Sequence, residues 1–218
     1  MNYEEGNMKA SITLLFSLFT FTFALSQHQL PFESKDNRIE LSVHNTSIVA
    51  ASGVKVEVSN VPGWLHFVST IQTIKQLKGK GDTTASFSFT VDRLAPVKKP
   101  QTLTFTITSS TGEKWTKQLD VSVDPPDHFE LYQNYPNPFN PSTTISYLIP
   151  NDTRVVLKIY NSIGQEVATL VNDSRSAGYH QEVWNASNIA SGMYIYQLTV
   201  NNAQAKKEYY RKKMVIVK

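Results

Sequence analysis

The sequence predicts an all-β protein built as two antiparallel β-sandwiches in tandem behind a removable leader. Apolar and polar residues alternate at period two in short runs along most of the chain, which is the signature of half-buried strands. Turn residues break these runs every 8–12 positions or so, the spacing of sandwich folds. The pair Pro125-Pro126 divides the runs into two sets, because two successive prolines offer no N–H donors to a ladder.

The leader comes first. Ile12–Leu25 carries no charge and reads ITLLFSLFTFTFAL. It is shorter than the roughly 20 apolar residues of a membrane span and fits the 7–15 or so of a secretory signal core. Lys9 supplies the positive flank, and Ala24 and Ser26 are the small residues expected before a cut between Ser26 and Gln27. Glu4 and Glu5 are foreign to such a flank, and a start at Met8 gives a cleaner signal. Residues 1–26 are therefore read as a signal peptide handled by the Sec translocon.

The first set of strands occupies 30–124. Ile39, Leu41 and Val43 share one face of a strand, as do Val54, Val56 and Val58. Phe87, Phe89 and Val91 repeat the pattern, followed by Leu103, Phe105 and Ile107 and then Leu119, Val121 and Val123. Pro62-Gly63, the Lys78–Asp82 run, Ala95-Pro96 and Thr111-Gly112 are the breakers. After a linker at 125–128 the second set fills 129–218. It comprises Ile145/Tyr147/Ile149, Val155/Leu157/Ile159, Glu166–Val171, Tyr179–Trp184, Met193–Val200 and Lys206–Val217. Each half is the size of an immunoglobulin-like sandwich.

Composition narrows the function. Of 218 residues, 40% are hydrophobic and 18% charged, which describes a globular chain. Without cysteine there is no disulfide, thiolate cluster or Cys nucleophile. The formal charge of +3 divides as −1 over 1–26, +2 over 27–126 and +2 over 127–218, so no segment has the basic excess of a nucleic-acid binder. The five histidines are dispersed, and no H-E-x-x-H, EF-hand loop, phosphate loop or G-x-S-x-G elbow occurs. Glu40, Glu57, Asp92 and Asp120 are the acids that would have to pair for glycoside hydrolysis, but acids on strands more often face water. The expectation is no catalytic residue, no metal, no cofactor and no enzymatic activity. Trp64 and Trp115 are the candidate platforms for a ligand, although Trp115 shares parity with Leu119, Val121 and Val123 and should point inward.

Tyr135-Pro136-Asn137-Pro138-Phe139-Asn140-Pro141 places three prolines within six residues. Such a segment is neither helical nor mid-sheet; it is a stiff strap, with Tyr135 and Phe139 available to staple it to a sandwich. Together with Phe129–Asn134, the Gly164-Gln165-Glu166 turn and the closing Lys213–Lys218, it resembles the ordered motifs of the type IX secretion system C-terminal sorting domain, type A. The resemblance covers 129–218, some 40% of the chain. It implies a seven-stranded immunoglobulin-like domain of a Bacteroidota-type bacterium, read by the outer-membrane translocon. It also implies removal by a surface sortase and attachment of the passenger to anionic lipopolysaccharide. Carried over, the sorting residues are Tyr135 to Pro141, Gly164, Gln165, Glu166, Lys213, Val215, Val217 and Lys218. Residues 30–124 are similar, at the level of fold, to NEW3-type modules, through Val61-Pro62-Gly63-Trp64 and the glycine turn ahead of Thr83–Asp92. The passenger's ligand is left open. The last strand holds six Lys/Arg against one Glu from Lys206 to Lys218, suited either to an anionic partner or to keeping an edge from pairing.

Overall fold

The computed structural model describes residues 11–15 (backbone only), 28–201 and 206–218; the predicted cut at Ser26–Gln27 lies outside them. Among the described residues there is no helix, and none that could cross a membrane. The chain forms two compact units, Met1–Asp124 and Pro125–Lys218.

The first unit holds β1 (Ser11–Leu15), β2 (His28–Leu30), β3 (Asn37–His44), β4 (Ala51–Ser59), β5 (Leu65–Phe67), β6 (Ile71–Leu77), β7 (Asp82–Val91), β8 (Gln101–Thr108) and β9 (Lys114–Val123). One sheet runs β1-β3-β7-β5 and the other β2-β9-β8-β4-β6. The alternating residues foreseen on β3, β4, β7, β8 and β9 are the core: Ile39, Leu41, Val56, Phe87, Phe105 and Val121 are fully or almost fully buried. Phe87 and Phe105 meet across the sheets with centroids 5.7 Å apart. From the predicted leader only β1 is described, lying parallel to β3.

The second unit holds β10 (Glu130–Leu131), β11 (Ser142–Ile149), β12 (Thr153–Asn161), β13 (Glu166–Arg175), β14 (Gly178–Asn185), β15 (Gly192–Asn201) and β16 (Lys207–Ile216). These seven strands divide into β10-β11-β14 and β13-β12-β15-β16, the three-plus-four arrangement of an immunoglobulin-like sandwich. Ile145, Tyr147, Leu157, Ile159, Tyr196 and Leu198 fill the space between them.

Candidate functional site

The strap, the glycine turn and the last strand converge on one end of the second sandwich. β12 pairs with β15 from Val155↔Val200 to Asn161↔Tyr194, and Tyr194 faces Met214 on β16. The turn that follows Asn161 and the last residues of β16 therefore sit at the same end of the sheet, about two strand spacings or ~10 Å apart. Phe139 of the strap forms a parallel bridge with Ile216.

β16 is an edge strand, and the strap, together with Gln133 just before it, satisfies that edge group by group. Gln133 Nε2 donates to the Lys213 carbonyl at 2.8 Å, and Asn137 Oδ1 accepts from the Val215 N–H at 2.9 Å. The Phe139 N–H donates to the Val215 carbonyl and the Val217 N–H to the Phe139 carbonyl, each at 3.1 Å. Four successive edge groups are thus occupied, which removes an open template for strand addition. Pro138 and Pro141 on either side lack N–H donors, so the backbone pairing stops after one residue.

Buried contacts hold the strap in this position. Phe139 is 2% exposed and packs on Trp184, with centroids 5.7 Å apart. Asn134 Nδ2 donates to the Pro136 carbonyl and to Thr143 Oγ1, and Thr143 Oγ1 donates to the same carbonyl. The Tyr196 hydroxyl accepts from the Asn134 N–H and donates to the Tyr132 carbonyl, both at 2.8 Å. Burial pushes that hydroxyl up to about 12. All three X-Pro bonds of the strap are cis. The expectation of two aromatic staples is corrected here: Phe139 acts alone, and the Tyr135 ring is 82% exposed.

The turn is organised by Asn161. Its Oδ1 accepts from the N–H groups of Ile163 and Gln165, and its Nδ2 donates to Gln165 Oε1 at 3.0 Å. Gly164 supplies the positive φ, 81°, that closes the hairpin. Glu166 accepts from Lys158 Nζ at 2.7 Å and from Thr169 Oγ1 at 2.6 Å, and these bonds, Lys158 first, hold its carboxyl below the usual range.

What remains on the outside of this end is apolar with a basic border. Met193 and Val215 are cross-strand partners, and both are exposed together with Val217 and, at the tip of the turn, Ile163. Lys213 stands on the same face and Lys218 donates to the Ser187 carbonyl. Exposed apolar side chains rimmed by polar ones suit recognition by another protein. Asn134, Thr143, Asn161 and Tyr196 position the surface without being among the carried-over sorting residues: Asn161 acts on its own turn and Asn134 and Thr143 on the strap beside them, while Tyr196 reaches Asn134 from 62 residues away.

In the first unit the four acids weighed for catalysis each have a separate neighbour. Glu40 pairs with Arg38, Glu57 with Lys55 and Asp92 with His66, while Asp120 accepts from Thr102. Trp64 packs against the core. Trp115 has the predicted inward parity but is 40% exposed, a correction to the expectation that parity buries it. It lies where the two sheets part, and a cavity of about 690 Å³ opens beside it.

Residues 133–216 match the family model described as the secretion system C-terminal sorting domain, a span that contains the strap, the turn and β16. No curated protein matches the chain. Among solved structures, dimeric latent PorU from Porphyromonas gingivalis is 15% identical, over 90% of this chain and 19% of that one, with a TM-score of 0.35. The CupB2 chaperone of Pseudomonas aeruginosa is 10% identical, over 86% and 97%, with a TM-score of 0.29. A tandem repeat from a large adhesion protein is 12% identical, over 83% and 49%, with a TM-score of 0.32. Structural likeness at these scores carries nothing further.

Proposed function

We propose that the chain, whose residues 133–216 match the secretion system C-terminal sorting domain, is a non-enzymatic cell-surface or secreted protein exported by the type IX route. In this reading a Sec signal at 8–26 takes the chain across the inner membrane. The exposed end around Val215, Val217 and Ile163 then presents it to the outer-membrane translocon and surface sortase. The passenger of residues 30–124 is delivered as an immunoglobulin-like, NEW3-type binding or spacer module, held outside the cell or tied to an anionic lipopolysaccharide. The observation that carries the reading is the strap, with Gln133 just before it, bonded to four consecutive edge groups of β16. It makes sequence motifs some 80 residues apart into one surface.

The test is intact mass of the protein recovered separately from the cell surface and the medium of its own host. A product that begins at Gln27 and lacks the C-terminal unit establishes a removed sorting domain. A product that keeps Lys218 outside the cell makes the second sandwich permanent. Retention of the whole chain in the periplasm of an export-competent host overturns the reading.

A second reading, that the passenger is a glycan-binding or enzyme-accessory module, is favoured by one observation. Trp115 is half exposed beside a cavity, where a spacer domain would bury it.

A further inference from the structure

The cavity beside Trp115 lies where five strand termini of the first sandwich converge. β3 ends there at Val43 and His44, β4 begins at Ala51, β6 ends at Leu77, β8 ends near Ile107 and β9 enters with Trp115, its second residue. The volume, about 690 Å³, falls within the range of small-molecule sites, roughly 300–1,000 Å³.

Its walls are of two kinds. The floor is aliphatic, from Val43, Val54, Leu77 and Ile107, and Trp115 stands directly across from Ile107 on the neighbouring strand. The rim is hydroxylic, from Ser47 on one loop and Ser109, Ser110 and Thr111 on the other. Among the lining residues the ionisable side chains are Glu113 and His44, and none is a lysine or arginine. Lys117, next on the face of Trp115, is not part of the lining.

The loop that forms one wall is held in place. The Asn45 side chain donates to the carbonyls of Val49, Leu77 and Lys78 and accepts from the Ser47 N–H. The Lys80 N–H donates to the Ser47 carbonyl at 2.7 Å and Lys80 Nζ to the Thr46 carbonyl at 2.6 Å. Gly79 lies so close beneath that a Cβ there would stand 2.0 Å from the Ile48 carbonyl oxygen. On the opposite wall, Ser109 closes the hairpin by accepting through its Oγ from the Glu113 N–H. A pre-formed cleft loses little entropy on binding.

Deepening the second reading above, we propose that this cleft binds a short neutral oligosaccharide, with Trp115 as the stacking platform. A sugar ring offers an apolar C–H face to the indole and hydroxyls to a rim of serine and threonine. A lining without lysine or arginine disfavours an anionic chain. The rim hydroxyls hold bonds of their own, Ser47 Oγ accepting from the Val49 N–H and Ser109 Oγ sharing a bond with Thr111 Oγ1, and their remaining capacity is what the hydroxyls of a sugar would meet.

The test titrates the chain from Gln27 to Lys218 by calorimetry with cello-, xylo-, manno-, malto- and laminarihexaose. Polygalacturonate and dodecanol serve as anionic and aliphatic probes. At least one neutral hexasaccharide should bind with a Kd of about 1 mM or tighter, and Trp115→Ala should weaken it about tenfold or more. Trp115→Phe, which keeps an aromatic face, should retain most of the affinity. Amide chemical-shift changes on titration should fall on 45–51 and 109–116, a readout that needs no variant to fold. Absence of binding by all five neutral sugars overturns the proposal. So does binding indifferent to Trp115, or Trp115-dependent binding confined to polygalacturonate or dodecanol. The measurement is made on purified protein, so its failure leaves the export reading untouched, and failure of export leaves the cleft untouched.

Discussion

The ends of the two sandwiches that carry their distinctive residues are finished in opposite ways. In the second, a proline strap closes the edge of β16 and buries its aromatic, Phe139, to 2%. In the first, the sheets part around Trp115, which keeps 40% of its surface. A closed end can act only through its outer shape, as a surface that a partner reads. An open end offers an interior, which suits a ligand. On the functions proposed above, the same architecture would be divided between an address and a binding module by what is done at one edge.

The largest contrast is expected in alkali. Every tyrosine of the described chain lies in the second unit, none in 28–124. Burial pushes Tyr147 and Tyr196 up to about 12 from an ordinary 10.0, and Tyr210 likewise, with Glu208 adding to it. A raised folded pKa means that stability is whole below the unfolded value and is lost as pH rises towards the folded one. The second unit should therefore open between pH 10 and about 12, ahead of the first. Tyrosinate absorbance, followed alongside peptide-resolved hydrogen exchange, checks the order. Opening of the first unit first would remove the contrast.

Phe139→Ala comes next. Truncating a fully buried aromatic costs about 3–5 kcal/mol. Here it should lower the denaturant midpoint of the second unit alone and free the Val215 and Val217 edge groups. The counterpart in the first unit is Gly79→Ala, whose methyl meets the Ile48 carbonyl at 2.0 Å. Displacing that backbone should cost about 1–3 kcal/mol, confined to 28–124, and should also weaken any ligand held by the 45–51 loop. Exchange measured peptide by peptide distinguishes the two; spread of either effect into the other unit would show that they do not fold separately.

Which parts of this were legible follows from the range of the forces involved. Alternation along β3, β4, β7, β8 and β9 and along β11 to β16 is local, and those faces are the cores. Ile71, Ile74 and Leu77 recur every third residue, so β6 carries no strand pattern; pairing with β4 imposes it. The short β2, β5 and β10 likewise take their identity from their partners. Parity placed Trp115 on the inner face, but parity does not say where the second sheet ends. The prolines declared a strap. That Gln133 and Asn137 reach 80 and 78 residues ahead to β16 is a property of the closed fold.

The smallest predicted effect is the most discriminating. Asn137 is exposed at the strap and makes one bond across to β16, to the Val215 N–H. Asn137→Ala removes that bond while Phe139 and the Asn134–Tyr196 contacts still hold the strap, so the stability loss should be about 0.5–1.5 kcal/mol. Exchange at Val215 should quicken while Val217, bonded to the Phe139 carbonyl, stays protected. If the strap matters only as a brace, export of this variant should track its small loss of stability and stay near normal. If the partner reads the surface made by strap and strand together, export should fall far more than stability does, and Phe139→Ala and Asn137→Ala should be alike in export while differing several-fold in unfolding free energy. A host expressing each variant, scored for passenger outside the cell against passenger in the periplasm, decides between a brace and a signal.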